Sequence, residues 1–103
     1  MNERLIPEAA YRDKDAVEML RVWIAENRLH CSIKVGMYAE STSIDEAKAW
    51  GTILADAARH IANALHEGYG QGSADSLQKI QAQMNAELDT PSSPAEGKFV
   101  NRH

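Results

Sequence analysis

Two runs of alternating polarity, both within residues 17–35, constrain the fold of this chain more than any other feature. They flank the polar pair Glu26-Asn27, and alternation with a period of two is typical of strands that bury one face. The sequence therefore predicts an antiparallel β-hairpin with strands over about residues 17–25 and 29–36. Since Glu-Asn is a weaker turn than Asn-Gly, this prediction depends more on the matching alternation than on the turn.

The register of the hairpin follows from the same pattern. A shift by one residue would turn one strand over, so both apolar sets share a face only if Ile24 lies opposite Leu29. The predicted apolar face comprises Leu20, Val22, Ile24, Leu29, Cys31, Ile33 and Val35. The opposite face then carries Met19, Arg21 and Trp23 against Lys34, Ser32 and His30.

A long amphipathic helix is predicted over about residues 44–67. Ser43 and Glu46 have the spacing of a capping box, and Gly68 is a residue type that ends many helices. Apolar side chains recur with a period near 3.6, and we expect this stripe to cover the apolar face of the hairpin. The stripe comprises Trp50, Leu54, Ala57, Ile61, Ala64 and Leu65.

A second, shorter helix is predicted over about residues 74–88, with a narrower apolar seam. Residues 1–16 read as a loosely ordered arm in which proline opens a short helical turn. Residues 89–103 read as a disordered tail, because they carry too few large apolar side chains to offset the entropy of ordering. The predicted fold is thus α+β, with one domain over residues 17–88.

Composition excludes several classes of protein. The chain has 103 residues, 44% of them hydrophobic, and a formal net charge of −4, so a basic surface for nucleic acid is not expected. No stretch is apolar and long enough for a membrane span, and no signal pattern opens the sequence, so we expect a cytoplasmic protein. The single cysteine, Cys31, excludes an internal disulfide, and we read it as a small apolar residue.

Part of the chain resembles a known family. The motif Ala49-Trp50-Gly51, followed by Leu54-Ala55-Asp56 and Ala58-Arg59-His60-Ile61-Ala62, stands downstream of Leu20-Arg21-Val22-Trp23 and Leu29-His30-Cys31-Ser32-Ile33. Over residues 17–68 this arrangement resembles the bacterial family called domain of unknown function 5076. The resemblance implies a small bacterial protein and supplies no catalytic residues.

Polar side chains on the long helix suggest a ligand site. A polar stripe at spacings of four, three and four could bind a divalent metal; it comprises Asp56, His60, Asn63 and Glu67. A small ligand or metal could instead bind at a subunit junction through His30, Asp56, Arg59 or His60. A zinc site needs three or four converging ligands, however, which one helix stripe cannot supply. A solvated polar stripe is therefore the competing interpretation, and we expect no metal, no cofactor and no catalytic residue.

Two surfaces suggest contact with another element or another chain. Met19, Trp23 and His30 lie on the hairpin face away from the helix, which the arm, the second helix, a second copy or a ligand could cover. A row of small residues on the long helix would permit close approach of a backbone, either from the second helix or from a partner; a generic alanine-rich helix is the alternative. The row comprises Gly51, Ala55, Ala58 and Ala62.

Self-association is the favoured functional reading. A domain of this size rarely builds a stable core without a disulfide or metal, and a hairpin leaves its sheet edges unpaired. We expect a homodimer in which hairpins pair edge to edge and helices meet through their small residues. The predicted function is a non-enzymatic structural or protein-interaction role; the alternative is a small-ligand or metal-binding protein.

Overall fold

The computed structural model describes residues 1–92 and, as backbone, residues 96–100. The order of elements along the chain is α1 (Glu8–Arg12), β1 (Leu20–Ala25), β2 (Arg28–Lys34), α2 (Met37–Ser41), α3 (Glu46–Tyr69), α4 (Ser73–Asp89) and β3 (Glu96–Val100). The chain divides into two compact units. The first contains residues 1–35 and β3, and the second begins at Gly36 and contains α2, α3 and α4.

The hairpin of the first unit has the predicted register. β1 and β2 are antiparallel, with Ile24 opposite Leu29 and Trp23 opposite His30. The connection is the two-residue turn Glu26-Asn27, and both residues have positive φ, 54° and 62°. Two left-handed residues in succession are the signature of the type I′ turn, whose twist matches that of the flanking strands. The α+β class and the hairpin are therefore confirmed.

The segment predicted to be a disordered tail contains a strand. β3 pairs in parallel with β2, so the sheet order is β1-β2-β3. Local composition could not reveal this pairing, because a strand edge far away in sequence supplies the backbone hydrogen bonds. Residues 93–95 and 101–103 of the predicted tail lie outside the described residues. The arm contains α1, which follows Pro7 as expected.

The second unit is helical. α3 and α4 pack against each other, and their bounds are close to those predicted, but α3 is displaced by two residues at each end. The prediction of Gly68 as the stop is wrong, because the helix continues to Gly70, which has φ 72° and donates its N–H to the His66 carbonyl. The following residue, Gln71, is held by its carbonyl to the His66 ring, 3.1 Å away.

The predicted capping box at the start of α3 is also wrong. The N-cap is Asp45, whose carboxylate accepts the N–H of Lys48 at 3.1 Å. Ser43 makes no such cap. Glu46 is engaged elsewhere, because its carboxylate accepts three backbone N–H groups of the preceding segment, from Gly36, Tyr38 and Ala39. A short helix, α2, occupies that segment.

Buried side chains in the described part of the chain are small. The buried residues of α3 are Ala49, Ala58 and Ala62, and Ser76 is buried on α4. Small side chains let two helix backbones approach closely, which explains why these positions carry alanine and serine. Large apolar side chains, in contrast, remain partly or mostly exposed.

Candidate functional site

β1 lies at an edge of the described sheet, and its backbone orientation defines what that edge offers. The N–H of Lys34 donates to the Met19 carbonyl at 2.9 Å, which makes this opposite pair a hydrogen-bonded pair. Such pairs alternate along an antiparallel ladder, so Arg21 and Trp23 also point their N–H and C=O groups at β2. The residues that alternate with them point their N–H and C=O groups away from β2, to the open edge. These residues are Leu20, Val22 and Ile24.

The side chains of that edge form an apolar face with part of β2. Val22 is 49% exposed, Ile24 80% and Leu29 50%, and all three lie on the same face of the hairpin. The expectation that the long helix covers this face stays a prediction, because the hairpin and that helix belong to different units. Exposed large apolar side chains adjacent to an unpaired strand edge are a typical self-association surface.

A cavity of about 650 Å³ lies along β1 within the first unit. Its walls include four consecutive residues of the strand, 20–23, together with arm residues 2–7. Successive side chains of a strand point to opposite faces, so a cavity in contact with all four is located at the strand edge. The arm and β1 together therefore enclose this cavity.

Arg21 ties the arm and the segment just before β1 to the strand. Its guanidinium forms salt bridges with Glu3 of the arm and with Glu18. The hydrogen bond from Arg21 lowers the pKa of Glu18, and desolvation opposes this effect without cancelling it. The pair of carboxylates raises the pKa of Arg21, first through the hydrogen bonds that Arg21 donates to Glu18 and Glu3. The guanidinium is thus a fixed positive charge on the face that also carries Trp23.

The predicted contact residues of that face are only half-buried. Met19, Trp23 and His30 all have intermediate exposure, and Trp23 lines the cavity beside β1. The arm is one of the elements expected to cover this face. It covers part of the face, because Glu3 forms a salt bridge with Arg21. Whether a second copy or a ligand adds to it stays a prediction.

The row of small residues on α3 is buried in its second half and exposed in its first half. Ala58 and Ala62 are buried, on a helix that packs against α4, which agrees with the reading that the second helix approaches these positions. Gly51 and Ala55 are exposed, and a Cβ added at Gly51 would meet nothing within 4 Å. No neighbouring backbone of the described chain therefore explains the glycine, and the two exposed residues remain candidates for an external contact.

The proposed ligand residues do not converge within the second unit. Asp56 and Arg59 form an exposed salt bridge of 3.2 Å, and His60 is exposed on the next turn. His30, the fourth member of this set, belongs to the other unit. In residues 1–92 and 96–100, no three His, Cys, Asp or Glu side chains are placed to hold a metal ion. The ligand-binding reading stays a prediction that no contact here supports.

The three residues of the apolar face were not named as contact candidates from the sequence. Val22, Ile24 and Leu29 were assigned to a face that the long helix would cover. The available signal was that Ile24 and Leu29 lie one pair from Ala25 and Arg28, which close the turn, since turns lie at the surface.

Within the described residues, no helix combines the length and apolar character that a membrane crossing needs.

Comparison with known proteins places the chain beside one family and one solved fold. A family model described as "Domain of unknown function (DUF5076)" matches residues 3–92, which includes the arm and α4. A search of curated proteins found no match. A similar solved structure, 23% identical with a TM-score of 0.67, covers 97% of this chain and 96% of its own. It is described as a "putative pyruvate dehydrogenase from the photosynthetic bacterium Rhodopseudomonas palustrus CGA009". At this identity the likeness concerns the fold.

Proposed function

We propose that this chain, which belongs to the domain of unknown function 5076 family, is a non-enzymatic structural or interaction protein that acts as a homodimer. One observation carries the proposal: the apolar face of Val22, Ile24 and Leu29 is exposed, and it adjoins the edge of β1 that pairs with no strand of the described residues. A surface of this kind is costly for a chain that remains alone in water. Covering Ile24 fully would contribute at most about 1.5 to 3 kcal/mol, and covering the exposed halves of Val22 and Leu29 about half as much each.

The small core supports the same proposal. In the described part of the chain the buried side chains are those of alanine and serine. Chains of this size commonly gain the missing stability from a disulfide, a metal or oligomerisation. Cys31 has no second cysteine in the sequence, and the described residues contain no metal-binding cluster. Association is one of these routes, and the exposed apolar face favours it.

A second copy fits this surface better than an unrelated partner does. An antiparallel strand edge is self-complementary, because a two-fold axis brings the same N–H and C=O groups of both copies together. The apolar side chains of one copy would then extend those of the other without a gap. We also propose that the protein works in the bacterial cytoplasm, in agreement with the family resemblance and the single cysteine.

Sedimentation equilibrium of the whole chain between about 1 and 100 μM tests the proposal. We expect twice the mass of the 11.4 kDa chain, with a monomer fraction that grows on dilution. Ile24→Lys should shift the chain to monomer, because the substitution places a charge in the apolar contact. Ser32→Lys is the matched control, since it adds the same charge to an exposed residue on the opposite face of the hairpin.

Two results would refute the proposal. The first is a wild-type chain that is monomeric at every concentration. The second is a dimer that Ile24→Lys leaves intact, or that both lysine variants weaken equally. Circular dichroism of each variant must match the wild type, so that a change in mass is not a result of unfolding.

A further inference from the structure

We infer that β1 of one copy pairs antiparallel with β1 of a second copy, about a two-fold axis at Val22. This inference rests on the proposed function, and it assigns the residues that meet. The resulting sheet would have the strand order β3-β2-β1-β1-β2-β3, with the turn Glu26-Asn27 of each copy pointing in opposite directions. Three steps lead to this register.

The first step is the orientation of the backbone. Leu20, Val22 and Ile24 point their N–H and C=O groups to the open edge, whereas Arg21 and Trp23 point theirs at β2. Only outward-pointing residues of the two copies can form hydrogen-bonded pairs with each other. The two-fold axis must therefore pass through a residue, because an axis between two residues would place an outward residue opposite an inward one. An axis through Leu20 or Ile24 pairs one outward residue within β1, so Arg21, Val22 and Trp23 are the axis positions to compare.

The second step compares these three registers. With the axis at Val22, all three outward residues are paired: Val22 with its own copy, and Leu20 with Ile24 of the second copy. With the axis at Arg21 or Trp23, one outward residue lies opposite a position outside β1, so hydrogen bonds are lost. The axis at Val22 is the register that satisfies the whole edge.

The third step concerns the side chains. With the axis at Arg21, two guanidinium groups would face each other directly, which is unfavourable for like charges. With the axis at Val22, Arg21 lies opposite Trp23 of the second copy, and a cation on an aromatic ring is favourable. On the other face Leu20 meets Ile24, so the exposed apolar side chains of both copies become one continuous surface.

A cavity of about 650 Å³ is lined by this edge and by the arm, and it touches residues 20–23, the same stretch that the register pairs. The arm lines the cavity without pairing as a strand of the described sheet. Because neighbouring strands lie about 4.8 Å apart, pairing with a second β1 requires the arm to move away from the edge, but it replaces no strand of the described sheet.

Cysteine cross-linking distinguishes the registers. In a Cys31→Ser background, the variants Arg21→Cys, Val22→Cys and Trp23→Cys are oxidised at equal concentration, and the disulfide-linked dimer is quantified on a non-reducing gel. Directly opposite residues lie about 4.5 to 5.5 Å apart between Cα atoms, within disulfide range. Diagonal neighbours lie about 7 to 8 Å apart, at or beyond that range. We expect Val22→Cys to cross-link at least tenfold faster than the other two.

The outcomes separate the register from the dimer itself. Faster linkage through Arg21→Cys or Trp23→Cys, with a dimeric mass by sedimentation, would overturn the register and leave the homodimer standing. Slow linkage in all three variants, with a dimeric mass, would place the interface elsewhere. A monomeric mass in the Cys31→Ser background, with the wild type also monomeric, would overturn both.

A backbone variant provides a second readout. Val22→Pro removes an N–H group that points to the edge and leaves the ladder between β1 and β2 intact. We expect it to weaken the dimer at least tenfold while the hairpin remains. The control is Val22→Thr, which keeps the N–H group and the branched shape. Equal dimer mass in the two variants would overturn the edge pairing.

Discussion

The indole Nε1 of Trp50 donates a hydrogen bond of 2.9 Å to the Glu46 carboxylate, one turn earlier on α3. The same carboxylate accepts the backbone N–H groups of Gly36, Tyr38 and Ala39, at 2.9 to 3.1 Å. One ionised side chain thus satisfies four donors and holds the segment around α2 to the start of α3. This arrangement makes the second unit sensitive to the charge of Glu46.

Acid should loosen this arrangement. Desolvation by itself raises the pKa of Glu46, but the hydrogen bonds from Gly36, Ala39, Trp50 and Tyr38 outweigh it, so the pKa lies below its usual 4.5. Because the pKa of Glu46 is lower in the folded than in the unfolded protein, the ionised carboxylate stabilises the fold. This stabilisation is complete above about pH 4.5 and is lost as the pH falls through the folded pKa. Fluorescence of Trp50 in a Trp23→Phe background should therefore change below pH 4.5.

Glu46→Gln tests whether this carboxylate is the cause. We expect the variant to be less stable than the wild type at neutral pH, because an amide accepts the same N–H groups less strongly than a carboxylate. Its stability should also depend less on pH in the acid range. The matched control is Glu67→Gln, an exposed carboxylate on the same helix. An unchanged acid transition in Glu46→Gln would contradict this assignment.

Removal of the N-cap of α3 should destabilise the second unit. Asp45→Ala deletes the carboxylate that accepts the Lys48 N–H, and the expected loss is about 1 kcal/mol of unfolding free energy. Ser43→Ala should change it by less than about 0.5 kcal/mol, because Ser43 does not cap the helix. Urea unfolding followed by the helical circular dichroism signal measures both. A larger effect of Ser43→Ala would favour the capping box that the sequence suggests.

The hairpin could be predicted from the sequence because its signal is local. A period of two has one register that keeps Ile24 and Leu29 on a common face, and the structure has that register. The turn also follows from the same pattern, although Glu26 is an unusual residue for left-handed backbone. The predicted bounds of α4, residues 74–88, are close to the observed Ser73–Asp89, because its apolar residues recur with a regular helical period.

The remaining features depend on contacts that no local pattern contains. Ser43 and Glu46 have capping-box spacing, but the amides around Tyr38 compete for the Glu46 carboxylate. The pairing of β3 with β2 depends on an edge that lies more than sixty residues earlier in the chain. The exposure of Ile24 could not be read from its alternation, because alternation gives a face and does not say what covers it.

Packing between α3 and α4 should not tolerate a larger side chain. Ala62 is 2% exposed, so Ala62→Leu must displace neighbouring atoms, and we expect a loss of about 1 to 3 kcal/mol of unfolding free energy. Ala57→Leu is the matched control on the exposed side of the same helix and should change it by less than about 0.5 kcal/mol. Urea unfolding measures both. Equal effects would mean that helix propensity, and not packing, governs this helix.

The turn of the hairpin offers a stabilising change. Glu26 has φ 54°, a left-handed conformation that costs a residue with an ordinary side chain about 1 to 2 kcal/mol. Glu26→Asn combined with Asn27→Gly supplies the pair that type I′ turns favour, so we expect a gain of about 1 kcal/mol.

Amide hydrogen exchange of Trp23 and His30 measures this gain, because these residues form the hydrogen-bonded pair nearest the closing pair of the turn. Their exchange should slow by about fivefold, the factor that corresponds to 1 kcal/mol. Glu26→Val should act in the opposite direction, since a branched side chain is least compatible with positive φ. If the double variant exchanged as fast as the wild type, opening of the hairpin would not involve the turn, and the strands would separate from their other end.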